Sequence, residues 1–241
     1  MTKLERDVRW LRWYALGSSV ALVILLALEL VPRQRSTLDV ERINIRNPDG
    51  SLSLAMAGKG KLPGPMMDGK AFPPELSEGR TSTAGMIFFN ESGDEVGGMI
   101  WGGVKTAAGY EASEHLSFDQ WKNDQVLTLD YADDGKSSRA GLGILDRPRD
   151  FPLTEAIALS KALGSATGAE RDRLARQMEE LRNAGKLGVR RIFLGSEDKS
   201  ASLRMKDTRG RDRIRLVVDA QDVARLEFLD DKGTVVAAYP P

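Results

Sequence analysis

The chain contains no cysteine and a single histidine. Disulfides are therefore excluded, as are the thiolate- and imidazole-rich sets that hold structural zinc, haem or iron–sulfur clusters, so no cofactor is expected. A charge excess of one sign is also missing. The 35 Lys and Arg residues balance 35 Asp and Glu, which leaves no electrostatic footprint for nucleic acid, and no such partner is expected. Low-complexity disorder is not indicated either: with 41% hydrophobic and 29% charged residues, the composition is that of a folded chain.

Long hydrophobic runs are scarce, with one exception. Residues 14–31, YALGSSVALVILLALELV, are broken only by Ser18, Ser19 and Glu29, and as a helix they extend about 27 Å, enough to cross a bilayer's hydrocarbon layer. The stretch from Val20 to Leu28 lacks the polar face of a soluble core helix. No A-x-A-like cleavage site follows Ala27, so an uncleaved signal-anchor is expected rather than a removed leader. Arg9, Trp10, Arg12, Trp13 and Tyr14 form the cationic and aromatic collar found where a span leaves lipid. Lys3, Arg6, Arg9 and Arg12 precede the run, whereas Arg33, Arg35 and Arg42 follow it. This bias predicts a cytoplasmic tail over 1–13, a transmembrane helix over 14–31 and an extracytoplasmic remainder.

Beyond the anchor the pattern is mainly β. In 38–56, Ile43 and Ile45 alternate with polar residues, Asn47-Pro48-Asp49-Gly50 supplies a turn, and Leu52, Leu54 and Met56 alternate again, which reads as a hairpin. Comparable units occupy 86–101 and 126–145. A C-terminal meander over 190–241 alternates strands (191–194, 201–206, 213–218, 223–229, 234–239) with acidic or glycine turns. Its Leu203, Met205, Ile214, Leu216, Val218, Leu226 and Phe228 keep a period of two, which predicts one buried face. Over 152–185 the period changes to that of helices. Ile157, Leu159 and Leu163 mark a first helix, and Leu174, Met178 and Leu181 a second that Gly185 stops. The expected architecture is a transmembrane helix plus an antiparallel β-hairpin ectodomain with an inserted helical hairpin; barrel, sandwich and solenoid closures all remain open. Residues 38–150 form the first β-rich region, interrupted by a Pro- and Gly-rich long loop at 57–84, a length usually functional or disordered.

Chemistry is sparse. Gly64, Gly69 and Lys70 imitate a phosphate-binding loop, but Ala71 replaces the hydroxyl residue that would hold magnesium, and Phe72-Pro73-Pro74 prevents the helix whose amides would hold phosphate. The densest polar cluster is HLSFDQWKNDQ at 115–125. His115, Asp119 and Asp124 could serve as acid–base groups, with Trp121 as a stacking platform; the bland alternative is a strand edge with solvated acids. The cluster lacks the glycine of a calcium loop, and no metal is expected there. His115, Asp119, Trp121, Asp124 and Lys70 are the candidate binding residues. Arg204, Lys206, Arg209, Arg211, Arg213, Arg215 and Arg225 are interspersed with Asp207, Asp212, Asp219 and Glu227, which predicts a mixed-charge solvated sheet face.

Three stretches, DVERINIRNPDGSLSL, AGMIFFNESGDEVGGMIWGG with HLSFDQWKNDQ, and SASLRMKDTRGRDRIRLVVDAQDVARLEFLDDKG, resemble those of a family of bacterial proteins with one N-terminal span and no assigned activity. The resemblance runs from the anchor to the end and implies a bacterial envelope context, without functional residues to carry over. The expected role is non-enzymatic: a membrane-anchored binding or assembly module that meets a protein partner or another copy of itself. A hydrolase using His115 with Asp119 or Asp124, and a structural spacer, are the alternatives.

Overall fold

The computed structural model describes residues 2–30, 37–73 and 79–240, in two compact units, Met1–Val40 and Glu41–Pro241. The first contains α1 (Lys3–Leu30). A reciprocal cap starts it: Thr2 N–H donates to Glu5 Oε2 at 2.8 Å, and Glu5 N–H to Thr2 Oγ1 at 3.3 Å, satisfying donors that helix geometry leaves free. Ser18 Oγ donates to the Ala15 carbonyl at 3.0 Å, so its hydroxyl is satisfied without water. Within α1, Lys3–Ala27 is long and apolar enough to cross a membrane. The helix begins before the apolar run, so Lys3, Arg6, Arg9 and Arg12 lie on its first turns. Val31, the far end of the expected span, falls outside the described residues.

The second unit begins with β1 (Arg42–Arg46) and β2 (Leu52–Ala57), followed by the two-residue strands β3 (Met66–Met67) and β4 (Lys70–Ala71). Next come β5 (Ala84–Phe89), β6 (Glu95–Thr106), β7 (Gly109–Asp119), β8 (Gln125–Asp133) and β9 (Ser138–Asp146). Two helices, α2 (Leu153–Ser165) and α3 (Gly168–Asn183), precede β10 (Val189–Glu197), β11 (Ser200–Lys206), β12 (Asp212–Val218), β13 (Ala224–Leu229) and β14 (Val235–Tyr239). All strands except β3 and β4 form one 12-stranded sheet in chain order, and every neighbouring pair is antiparallel. Because β9 pairs directly with β10, the β-rich stretches on either side of the helices belong to one sheet. Among the described residues β1 and β14 do not pair, so the sheet is an open meander rather than a barrel.

Local turn chemistry drives this order. At Asn47, Asn90, Asp207, Asp219 and Asp230 the same turn recurs. The first residue's N–H donates to the carbonyl four residues on, and its carbonyl accepts from the N–H three residues on. In the last three, the Asp Oδ1 also accepts backbone N–H bonds from two and four residues ahead, as from Gln221 and Val223 at 3.0 Å each. The fourth residue is left-handed, with φ 79° at Gly210 and 62° at Asp222, which fits a type I turn with a bulge and sends the chain straight back. α3 ends in an equally local way. Gly185 N–H donates to Arg182 at 2.9 Å and Lys186 N–H to Leu181 at 2.8 Å, a glycine-dependent stop.

The two faces of the sheet differ. Strand pairing aligns one unbroken row of large apolar side chains across all twelve strands: Ile43, Met56, Met86, Met99, Leu116 and Leu129, continuing through Leu142, Leu194, Leu203, Leu216, Leu226 and Tyr239. Two residues along each strand runs a second row: Ile45, Leu54, Phe88, Gly97, Phe118 and Leu127, then Ile144, Ile192, Met205, Ile214, Phe228 and Ala237. Sequence periodicity predicts that the C-terminal part of this face is buried. Instead it is open: Leu194 is 55% exposed, Leu216 51% and Phe228 43%. The alternation correctly identifies which side chains share a face; what covers that face lies beyond a periodicity argument.

The opposite face is covered or charged. Toward β1, the chain between β2 and β5 folds back so that Leu62 and Met66 pack on Ala55, Ile87 and Phe89; the long loop is thus part of the core. Toward β14, Arg139 and Arg204 both pair with Glu197, Arg215 with Glu227, and Arg225 with Asp219, the expected mixed-charge face. Buried Phe193 lies there with the Arg139 guanidinium 4.8 Å from its ring centre. A Cβ on Gly141 would come within 2.4 Å of that ring, so glycine makes room for it.

Ile87 is only 2% exposed. Ile87→Ala should therefore cost about 2–5 kcal/mol of stability, read as a lower urea midpoint with an unchanged slope; a loss below about 1 kcal/mol would show that the loop does not close this core.

Candidate functional site

β7 carries the face on which the sequence concentrates its chemistry. Alternation points His115, Ser117 and Asp119 to the loop-covered, charged side of the sheet. His115 Nδ1 lies 2.6 Å from Asp130 Oδ1 on β8, and Asp130 Oδ2 accepts from Thr128 Oγ1 at 2.7 Å. Burial pushes the Asp130 carboxyl up, but hydrogen bonds from His115 and Thr128 outweigh it and hold the group below its ordinary value. His115 Nε2 is buried with no hydrogen-bond partner among the described residues.

Asp119 sits four residues further along, which at about 3.3 Å per residue separates it from His115 by about 13 Å. Burial is the main force on it, and the like charges of Glu95 and Asp124 add to it, pushing its carboxyl up to about 7 against the pull of Arg147 and Arg80. Glu95 is also raised, chiefly by burial, despite its ion pair with Arg80. Asp124 is committed elsewhere: Arg147 Nη2 donates to its Oδ2 at 2.7 Å. The same guanidinium donates to the Gln125 carbonyl at 3.0 Å and the Leu187 carbonyl at 2.8 Å, tying the β7–β8 turn to the start of β10. His115, Asp119 and Asp124 therefore do not converge on one substrate atom, and the acid–base arrangement a hydrolase needs is not assembled.

Trp121 and Lys70 are separate again. Trp121 is 65% exposed on the β7–β8 turn, with Lys122 Nζ 5.5 Å from its ring centre. Lys70 is exposed in the small β3–β4 hairpin, opposite Met67, and among the described residues no helix starts there to hold phosphate. Sequence reasoning missed its neighbour Lys122. That residue is left-handed, with φ 54°, and its ammonium bonds Asp68 Oδ1 at 2.5 Å and Asp94 Oδ1 at 2.7 Å. Asp94 is buried; burial raises its carboxyl, but the Asp68 N–H, Lys122 and Asn90 together hold it below its ordinary value. Lys122 thus pins the folded-back loop to two turns of the sheet.

Open clefts lie around the β6–β7, β8–β9 and β10–β11 connections, away from all five sequence candidates. One, about 550 Å³, is lined by Glu111, Asp133, Asp134, Arg139, Glu197 and Asp198. A second, about 320 Å³, shares Glu111 and Ala112 with it. Among the described residues no three His, Asp or Glu side chains gather as a metal site. The feature with the greatest extent is instead the pair of apolar rows, which single-sequence periodicity could reach only strand by strand. No family model, curated protein or solved structure matches the chain.

The Asp119 environment sets a pH dependence. Folded Asp119 keeps its proton to about pH 7, whereas the unfolded carboxyl releases it near pH 4. The stabilising contribution is therefore fully present below about pH 4 and lost as pH rises to about 7. Asp119→Asn should remove this slope and raise stability above about pH 7 by a few kcal/mol, measured by urea unfolding across that window; parallel curves for the two proteins would refute the assignment.

Proposed function

We propose that this chain is a membrane-anchored, extracytoplasmic assembly module of the bacterial envelope, non-enzymatic, whose working surface is the apolar face of its sheet. The observation that carries the reading is the pair of apolar rows running the full width of the sheet and left half-exposed. At about 4.8 Å between strands and about 6.8 Å per two residues, each position claims about 33 Å² of face, so the two rows present about 800 Å². Monomeric soluble proteins rarely leave a contiguous apolar patch beyond about 300–600 Å² uncovered, and larger ones mark interaction sites.

The anchor supports the location. α1 supplies a segment able to span lipid, and the cations on its first turns favour retention of the N-terminus in the cytoplasm. The envelope context rests on the family resemblance. Trp121, exposed at a turn, is a secondary contact in this reading. Hydrolysis is disfavoured by the dispersal of His115, Asp119 and Asp124 among separate partners, and a passive spacer leaves the apolar face without a purpose.

A native-size measurement tests the reading. Gently solubilised from its own membrane, the full chain should migrate as a complex larger than one 26.4 kDa chain. Leu194→Lys places a charge at a position already half in water, so it should shrink the complex while leaving the far-ultraviolet circular dichroism of the folded chain unchanged, the melt falling only by what the lost assembly contributed. Identical migration of the two proteins would reject the apolar face as an assembly surface.

A further inference from the structure

We infer that the occupant of this face is a second copy of the chain, seated face to face so that two open sheets close into a two-layer sandwich. The inference rests on the assembly reading above and names its partner.

Area is the first argument. Two faces of about 800 Å² each bury about 1,600 Å², the size of a standard stable interface, at a sheet separation of about 10 Å. Shape is the second. The apolar rows cross all twelve strands, and an occupant that covers them must be as long and carry the same right-handed twist. An identical sheet meets both requirements, and a two-fold axis makes the contact self-complementary.

The register gives the arrangement. An axis parallel to the strands between β8 and β9 keeps both copies' β1 ends level, as two chains tethered in one bilayer require. It places β6 over β11, so Gly97, the one position in the rows without a side chain, faces Met205. It also places β7 over β10, so the exposed Glu114 beside the rows faces Ser196 rather than a like charge.

Charge argues against lipid as the cover. The two rows contain no Lys or Arg, and the flank at one end on the same face mixes Glu114 and Asp133 with Lys105. An anionic bilayer surface recruits predominantly basic flanks, which this one is not.

The absence of cysteine makes the test clean. Leu129, beside the axis and 54% exposed, is replaced by Leu129→Cys in the full chain, reconstituted in phosphatidylcholine–phosphatidylglycerol vesicles. A short bis-maleimide should give a covalent product of twice the chain mass. Glu111→Cys, exposed on the opposite face, should give none, and adding Leu194→Lys to Leu129→Cys should cut the product at least about tenfold with the far-ultraviolet circular dichroism of the folded chain unchanged. A monomer in these vesicles beside an enlarged complex in native membranes would overturn the second copy and spare the assembly reading. A monomer in both settings would overturn both. If a fluorophore attached to the thiol of the Leu129→Cys variant were then quenched by lipid-borne nitroxides, the bilayer surface would be the cover instead.

Discussion

Everything in the head depends on the strand register being held without a slip of one residue across twelve antiparallel strands. Side chains alternate with a period of two, so a slip anywhere would send every later apolar residue of that strand to the charged face. Bulges do occur, between Ile45 and Arg46, Phe88 and Phe89, Phe118 and Asp119, Arg190 and Ile192, Met205 and Lys206, and Phe228 and Leu229. Each lies at a strand end or outside the two apolar rows, so the irregularity is spent where it cannot disturb them. The repeated Asx-led turns are the local device that enforces this, because the turn's own hydrogen bonds set which residues face one another.

Those turns also explain what the sequence made legible. An Asp or Asn accepting backbone N–H bonds ahead of a left-handed residue involves five consecutive positions, so Asn47, Asn90, Asp207 and Asp230 could be read as hairpin tips without any tertiary knowledge. The helices at 153–165 and 168–183 were legible for the same reason, the second through the Gly185 stop. The side chains of the C-terminal meander were sorted correctly onto a common face. The inference that the face is buried was not correct, because alternation reports an amphipathic strand and is silent on whether a second layer exists.

The candidate site was less legible, and the reason is distance along the chain. Asp119 keeps its proton chiefly because the fold buries it, with Glu95 and Asp124 adding like charge from the next strand and turn, and Lys122 matters because it reaches back to Asp68, fifty-four positions earlier. A cluster at 115–125 reads as one polar patch in sequence. In the fold, the strand sets His115 and Asp119 far apart, the turn lifts Trp121 into solvent, and Arg147 claims Asp124. Proximity in sequence on a strand is separation in space, the reverse of the helical case.

A stable domain packs at least two layers around a core, and the two halves of this sheet meet that demand unequally. Near β2 and β5 the folded-back loop provides a partial second layer, pinned by Lys122 and Arg80, and the buried residues Ala55, Ile87 and Phe89 collect there. From β11 to β14 one face is laced with ion pairs that each contribute little in water, while the other bears bare Leu, Met and Phe. Pairs such as Arg215–Glu227 let the charged face remain in water without a layer of its own. The apolar face has no such recourse: its side chains gain about 25 cal/mol per Å² only when something apolar displaces the water. In the assembly reading proposed above, another chain supplies that displacement on this half of the head.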